Sequence, residues 1–347
     1  MALPSWKKVL VVDLGFLGDT VHSIPALRAL AQSGAQVDVM TTSVGAELLA
    51  LVPEVSRSWI IPLAKPSPPP WRHLGTLRAI RAEKYDLAIT FVGSDRNLYC
   101  TGWSGARQRI AHLSGRNSWP ARWRLTQTVA ARDRAHPVYE QRLSILRHLG
   151  WTGNNPGWAW KIPEADVRWA REQTRSPFLH LSISAASSPL NEWPLDAWSE
   201  ALRQVWLKSP HTRVVATGAG SERETARLAD LVSLVQDERL QIFFDRLPMS
   251  RLAAFLKESS LHLGLDSGVL HFAMALDKPT VSLFRDSEGR PGWAPRGEKH
   301  RVLLRDCSCN QTSKAACSGS RALCLSKITP AEVAQSALTV LLANGKG

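Results

Sequence analysis

Residues 264–280 read Gly-Leu-Asp-Ser-Gly-Val-Leu-His-Phe-Ala-Met-Ala-Leu-Asp-Lys-Pro-Thr. The apolar run 261–265 that enters this stretch has the length and composition of a strand. It stops at Asp266-Ser267-Gly268, a helix-periodic segment begins there, and that segment ends at Asp277-Lys278-Pro279. Another apolar run, 280–284, follows. Strand, small polar turn, helix and strand in that order make one unit of a parallel sheet. The turn also has a chemical meaning. At the carboxyl end of a strand it gathers unpaired backbone N–H groups and the positive end of a helix dipole, which suits a phosphate or pyrophosphate. Gly268 lets a ligand approach the backbone closely. The same residues also suit an ordinary capped helix with Asp266 or Ser267 as N-cap, so the stretch fixes the fold class and leaves the ligand open.

Residues 9–27 repeat the pattern at the other end of the chain: Val-Leu-Val-Val-Asp-Leu-Gly-Phe-Leu-Gly-Asp-Thr-Val-His-Ser-Ile-Pro-Ala-Leu. A strand over 9–13 enters a loop with glycines at 15 and 18, and a helix is expected to open near Asp19 or Thr20. Gly15 and Gly18 form G-x-x-G, not the G-x-G-x-x-G of dinucleotide binders, and no acidic residue follows at the distance needed to hold a ribose. The loop therefore argues against a nicotinamide or flavin cofactor. It does place one carboxylate, Asp19, at a helix N-terminus, where the ordinary role is capping.

Between and beyond these segments strand-like and helix-like runs alternate. Strands are expected at 37–41, 59–62, 87–91, 178–183, 213–217 and 241–244. Helices are expected at 25–33, 46–52, 71–84, 139–149, 195–209, 221–235, 249–258, 269–276 and 330–342. Such alternation implies an α/β fold of parallel sheets covered on both faces. A chain of 347 residues suits two domains, with the linker in the Gly- and Pro-bearing stretch 150–163. Hydrophobic content of 44% fits folded domains, and no apolar run reaches the length of a membrane span. Lys7-Lys8 precede a short apolar run that Asp13 interrupts, so the N-terminus is expected to be a first strand and not a signal peptide.

The net charge of +13 is uneven: residues 61–150 hold 15 Lys/Arg against 5 Asp/Glu. Arg107, Arg109, Arg116, Arg122 and Arg124 lie among Trp103, Trp119 and Trp123. A charge run is usually a solvated face. Interleaved Arg and Trp also suit an anionic membrane surface, or stacking on nucleic acid; the sequence contains no nucleic-acid-binding module, so no nucleic-acid partner is expected. Of five cysteines, Cys100 stands alone as a buried or half-buried thiol. Cys307, Cys309, Cys317 and Cys324 form C-x-C-x7-C-x6-C. Four thiolates so close are able to hold a structural zinc or iron, although the spacing is not that of a zinc ribbon.

Several motifs, taken in order, resemble a known family. Leu14-Gly15-Phe16-Leu17-Gly18-Asp19 with Pro25-Ala26-Leu27 opens the series. Glu192-Trp193-Pro194, Thr217-Gly218 with Glu222, Leu247-Pro248-Met249-Ser250 and Asp266-Ser267-Gly268-x-x-His271 continue it. The chain looks like a glycosyltransferase of the heptosyltransferase family, bacterial enzymes that add heptose to the lipopolysaccharide inner core. The order holds from near residue 8 to near residue 340, so the resemblance spans almost the whole chain. It implies the GT-B fold, two Rossmann-like domains facing across a cleft. An acceptor-binding domain would cover residues 1–160 and a nucleotide-sugar domain 161–328, with a C-terminal helix over 329–347 that packs back on the first domain.

The resemblance also implies a chemistry. The donor would be ADP-heptose, and the acceptor an anionic glycolipid of the Kdo-lipid A type at the inner-membrane surface. The enzyme would be cytoplasmic, peripheral at the inner face of that membrane, monomeric, and without need of a cofactor or catalytic metal. Asp19 matches the family's proposed general base in an inverting attack. Ser187, Ser188 and the backbone N–H groups of Ser267, Gly268 and Val269 would face the leaving diphosphate. Glu222 matches a ribose-holding position, Met249 a side chain packed on adenine, Asp266 a contact to sugar hydroxyls; His271 would orient the turn or touch the donor. Arg107, Arg109, Arg122 and Arg124 would bind the acceptor. Two departures stand out. Asn191 occupies the place of a lysine that neutralises the diphosphate, and Arg285-Asp286-Ser287 replaces a Gly-Pro-Thr, which makes Arg285 the expected substitute cation. Other readings remain: a family 9 transferase with a different donor or a protein acceptor, a nucleotide-binding paralogue without turnover, and an oxidoreductase, disfavoured by the missing fingerprint.

Overall fold

The computed structural model describes residues 5–62, 73–113, 117–129, 134–174, 177–185, 188–287, 290–307 and 322–344. It divides into two units, Met1–Lys161 and Ile162–Gly347. The first contains six parallel strands: β1 Lys8–Asp13, β2 Gln36–Thr41, β3 Val55–Ile60, β4 Leu87–Thr90, β5 Gln108–His112 and β6 Gln127–Val129. Their order is β3-β2-β1-β4-β5-β6. Its helices are α1 Leu17–Gln32, α2 Ser43–Leu49, α3 Leu74–Ala82, α4 Asp95–Trp103, α5 Trp119–Arg122 and α6 Val138–His148. β1 is buried at every position from Val9 to Asp13, as a central strand with helices on both faces requires.

The second unit repeats the plan with β7 Phe178–Ser182, β8 Arg213–Thr217, β9 Leu240–Phe243, β10 Leu261–Leu265, β11 Thr280–Leu283 and β12 His300–Leu303. The order is β12-β11-β10-β7-β8-β9, again all parallel. Its helices are α7 Glu164–Gln173, α8 Leu195–Lys208, α9 Glu222–Val235, α10 Met249–Glu258, α11 Gly268–Ala275, α12 Arg290–Trp293, α13 Leu323–Ser326 and α14 Pro330–Asn344. α14 buries Val333, Ala334, Ala337 and Leu338 in this unit's own core, beside Trp193, Trp198 and Trp206. No helix among the described residues is long and apolar enough to cross a membrane.

In each sheet the chain winds outward in one direction, returns to the centre and winds the other way. The order reverses between β1 and β4 in the first unit and between β7 and β10 in the second. Loops leaving adjacent central strands diverge at such a point, and the crevice outside their carboxyl ends is where open α/β sheets hold ligands. β1 ends at Asp13 and β10 at Leu265, so the two stretches that opened the sequence reading both lie at reversal points.

Candidate functional site

In the first unit the chain leaves β1, turns at Gly15 and enters α1 at Leu17, two residues before the expected start. Phe16, not an acidic residue, is the N-cap, and it is well exposed. Asp19 sits one turn in, and its Oδ2 accepts the Phe16 N–H at 3.0 Å. A side chain at position 15 has no room: a Cβ there would lie 2.5 Å from the Asp19 Cβ and 2.7 Å from its Oδ2. The tight turn is therefore shaped around the Asp19 carboxylate.

The other Asp19 oxygen, Oδ1, accepts Arg142 Nη2 at 3.0 Å. Arg142 belongs to α6 and is 4% exposed. Its Nη1 donates to the Asp19 carbonyl and to Ser23 Oγ and lies 3.8 Å from Asp13 Oδ2. Ser23 in turn donates to Asp13 Oδ2 at 2.5 Å. Asp13 is buried, and burial pushes its carboxyl above the usual range, with Arg142 acting against that rise. Sequence reading missed Asp13, Ser23 and Arg142 as site residues. A signal was available: Val138, Arg142, Ile145 and Leu146 lie on one buried stripe of α6, and an arginine inside an apolar stripe needs a partner.

The four arginines expected to bind the acceptor lie elsewhere. Arg107 precedes β5 and pairs with Asp86, which precedes β4, at 3.9 Å. Arg109 turns its guanidinium onto the carbonyls of Arg124 and Ala106. Arg122 and Arg124 precede β6, and the Arg124 guanidinium stacks 4.0 Å over the Trp103 ring and 4.9 Å over Trp123. Segments that precede parallel strands emerge at the edge opposite those that follow them. The structure thus does not bring these arginines to Asp19. On the Asp19 edge the first turn of α4, which follows β4, carries the exposed Arg96. Arg116 lies outside the described residues.

In the second unit the expected donor residues all follow strand ends on one edge. Ser188 comes after β7 and caps a 3-10 turn, Pro189–Asn191, by accepting the Leu190 N–H at 3.2 Å; Ser187 is outside the described residues. Glu192 is buried. Its carboxylate accepts the Ala185 N–H at 3.1 Å and binds Arg223 at 2.5 Å and Arg227 at 3.2 Å. Those two cations are thus committed to Glu192. Glu222 follows β8 and stands exposed at the start of α9, while Glu224 folds back on Ser221 and Ala219. Met249 follows β9 and is buried at the start of α10.

Ser267 is the N-cap of α11 but makes no side-chain cap bond, and its Oγ is buried without a partner among the described residues. The first N–H groups of α11, at Gly268, Val269 and Leu270, have no acceptor within the helix. Asp266 Oδ1 lies 3.5 Å from His271 Nε2, and the His271 ring packs on Trp293 with centroids 5.1 Å apart. Leu283 pairs with Leu265 in register, which sets Arg285 at the same edge as the Asp266 turn. Arg285 is half-buried and makes no hydrogen bond or ion pair to the described residues.

Beneath this edge His180 and His262 share a buried Nδ1···Nδ1 contact at 2.9 Å, and His180 Nε2 reaches Thr217 Oγ1 at 3.1 Å. Burial depresses both, His180 to about 3. Of the four clustered cysteines, Cys307 and Cys324 are buried with their thiols in contact, and burial raises the Cys324 thiol. Cys309 and Cys317 lie outside the described residues, among which no group of three or more His, Cys, Asp or Glu is placed to hold a metal. The lone Cys100 thiol is raised by burial to about 11.

Two doubly wound sheets, each carrying a polar turn and a helix N-terminus at its reversal point, define a two-unit α/β protein of the ligand-binding kind. The chain belongs to glycosyltransferase family 9 (heptosyltransferase), whose model matches residues 74–322. Lipopolysaccharide heptosyltransferase 1 of Pseudomonas aeruginosa is 25% identical, the alignment covering 97% of this chain and 98% of that protein. The family 9 glycosyltransferase of Veillonella parvula superposes with a TM-score of 0.82 over 99% of both chains at 19% identity. E. coli heptosyltransferase WaaC with ADP-2-deoxy-2-fluoro heptose superposes at 0.69, covering 96% of this chain and 99% of that one at 18% identity. The fold is that of these GT-B enzymes.

Proposed function

We propose that this transferase moves heptose from ADP-heptose to an inner-core lipopolysaccharide acceptor, inverting the anomeric carbon, with Asp19 as general base. The observation that carries the reading is the Asp19 carboxylate, held between the Phe16 amide and Arg142 at the carboxyl edge of the first sheet. Each of its oxygens keeps a lone pair after those bonds. The acceptor hydroxyl forms a bond to the anomeric carbon as the bond to the diphosphate oxygen breaks. The hydroxyl proton passes to Asp19, and the leaving diphosphate takes the electron pair. Charge that develops on the diphosphate is met by the α11 N-terminus, the Ser267 hydroxyl and the uncommitted Arg285, in place of a metal ion. Asp266 takes the sugar hydroxyls, Met249 the adenine and Glu222 the ribose.

The donor assignment is supported by family membership and by a structural neighbour whose description names an ADP-heptose analogue. For the acceptor we assign Arg96 to an anionic group, because it shares the edge of Asp19. Exposed Trp103, Trp119 and Trp123 with their arginines suit peripheral attachment at the inner face of the inner membrane. The test is mass-spectrometric detection of heptose transfer from ADP-heptose to Kdo2-lipid A by the native chain and by Asp19→Asn. One added heptose with the native chain and none with the variant is the expected result. Transfer by the variant at the native rate would sink the base assignment. Asn191 favours a second reading, a nucleotide-binding paralogue without turnover; ADP binding with no transfer by the native chain marks that outcome.

A further inference from the structure

We propose that Arg142 is a positioning residue for Asp19, and that Asp13 competes for it. The inference rests on the reading of Asp19 as base. Arg142 is nearly sequestered from solvent, yet it touches both the side chain and the backbone of Asp19 and the side chain of Ser23. An arginine costs free energy to bury and is retained where its hydrogen bonds are all used. Here the fork spans three groups on α1 and faces Asp13 on β1, so one guanidinium sets the distance between the helix and the strand that flank the Gly15 turn.

The packing of α6 on α1 makes this geometry stiff. Tyr139 stacks on His22 with ring planes 3° apart, and Trp158 packs edge-on against Tyr139 while donating Nε1–H to the Val21 carbonyl at 2.9 Å. Arg142 lies one helical turn beyond Tyr139 on a helix anchored this way. Ionisable groups on the elements packed against α1 are Lys8 and Asp13 of β1, Asp38 of β2, Glu47 of α2, and Tyr139, Glu140, Arg142, Arg147 and His148 of α6. Among these only Arg142 bonds the Asp19 side chain in the described residues, and Asp38 accepts the Tyr85 hydroxyl instead.

Two consequences separate positioning from bulk stability. With Oδ2 bound to the Phe16 amide and Oδ1 to Arg142, the carboxylate plane is fixed and its free lone pairs face outward; losing the Arg142 bond lets it rotate. The fork also reaches the Asp19 carbonyl and Ser23 Oγ, so a lysine in its place, with a single nitrogen, keeps the charge but cannot make all of these bonds.

The experiment measures kcat and donor KM in the full chain for native protein, Asp19→Asn, Arg142→Met, Arg142→Lys and Asp13→Asn. Arg142→Met is expected to lose about 100-fold in kcat, with donor KM within about twofold. Arg142→Lys, which keeps the charge but not the fork, recovers roughly tenfold of that loss. Asp13→Asn, which removes the competitor, does not reproduce the loss. Because Arg142→Met leaves Asp13 buried without its cation and endangers folding, the double variant Asp13→Asn/Arg142→Met is measured beside it, with the same loss expected. A native kcat in both Arg142→Met and the double variant, with Asp19→Asn inactive, overturns the positioning role and leaves the base standing. An active Asp19→Asn removes the base and the inference together.

Discussion

Arg285 shows how one residue changes the balance at the proposed diphosphate site. The two arginines nearest the β7 loop, Arg223 and Arg227, are bound to the buried Glu192, and Asn191 brings no charge. Arg285, beside the Asp266 turn, has no partner among the described residues. A half-buried, unpaired guanidinium keeps much of its field for an incoming phosphate. Arg285→Ala is accordingly predicted to raise donor KM about tenfold and to lower kcat, while the melting temperature stays unchanged because no bond to the described residues is lost. Steady-state kinetics at saturating acceptor check this, and an unaltered donor KM and rate would remove Arg285 from the site. Gly15 makes the complementary point. Its missing side chain is where Asp19 sits, so the glycine of the loop is required by its neighbour four residues along and not by a dihedral angle of its own.

At the scale of elements, strands β7 and β10 carry a titration that the ligand edge does not. His180 and His262 face each other across these strands, fully buried, and His262 Nε2 has no partner among the described residues. Their folded pKa values lie below the unfolded value near 6.5, so the unfolded chain binds more protons in the window between. The neutral pair is at its most stable above pH 6.5, and that stability is lost as pH falls toward the folded value of about 3 for His180. The slope is about 1.4 kcal/mol per pH unit for each histidine. Melting of the full chain at successive pH values should show the second unit weakening below pH 6.5, and His262→Leu should flatten the trend. A melting temperature independent of pH between 4 and 6.5 contradicts it.

The central elements were legible in the sequence because each is buried on both faces, so that β1, β2, β4, β7, β8 and β10 read as continuous apolar runs. β5 (Gln-Arg-Ile-Ala-His), β6 and β12 lie toward or at sheet edges, mix polar with apolar residues, and went unread. α4 and α7 were missed because few of their positions are buried and apolar. Asp19 and the Asp266 turn were visible through motif order. Arg142 was not, because its meaning depends on a contact 123 residues away in the chain. The position of the four expected acceptor arginines, at the sheet edge opposite Asp19, was not legible either, because sequence proximity to Trp says nothing about which end of a strand a segment occupies.

Considered whole, the first unit carries its positive charge unevenly. Exposed Trp103, Trp119 and Trp123 share their surface with Arg107, Arg122 and Arg124, and Arg124 is held between two indole rings. Cation–π stacking keeps such an arginine extended beside the rings, where it reaches anionic headgroups as the indoles reach the interface. Sedimentation with vesicles should show binding to anionic and not to zwitterionic bilayers, and Trp119→Ala/Trp123→Ala should weaken it about tenfold while leaving ADP binding intact. Equal binding to both vesicle types would point away from a membrane role for this face.

The Asp19–Arg142 contact also has a consequence for how the chain is made. The 123 residues that follow Asp19, up to and including Arg142, must be synthesised before the contact exists. At about 5–20 residues per second that is roughly 6–25 s of translation. Throughout that interval the emerging chain holds Asp13 and Asp19 with no counter-charge, and the first strand cannot be sealed against its helix. The proposed base is therefore among the last features of the first unit to be completed on the ribosome, and it waits for α6.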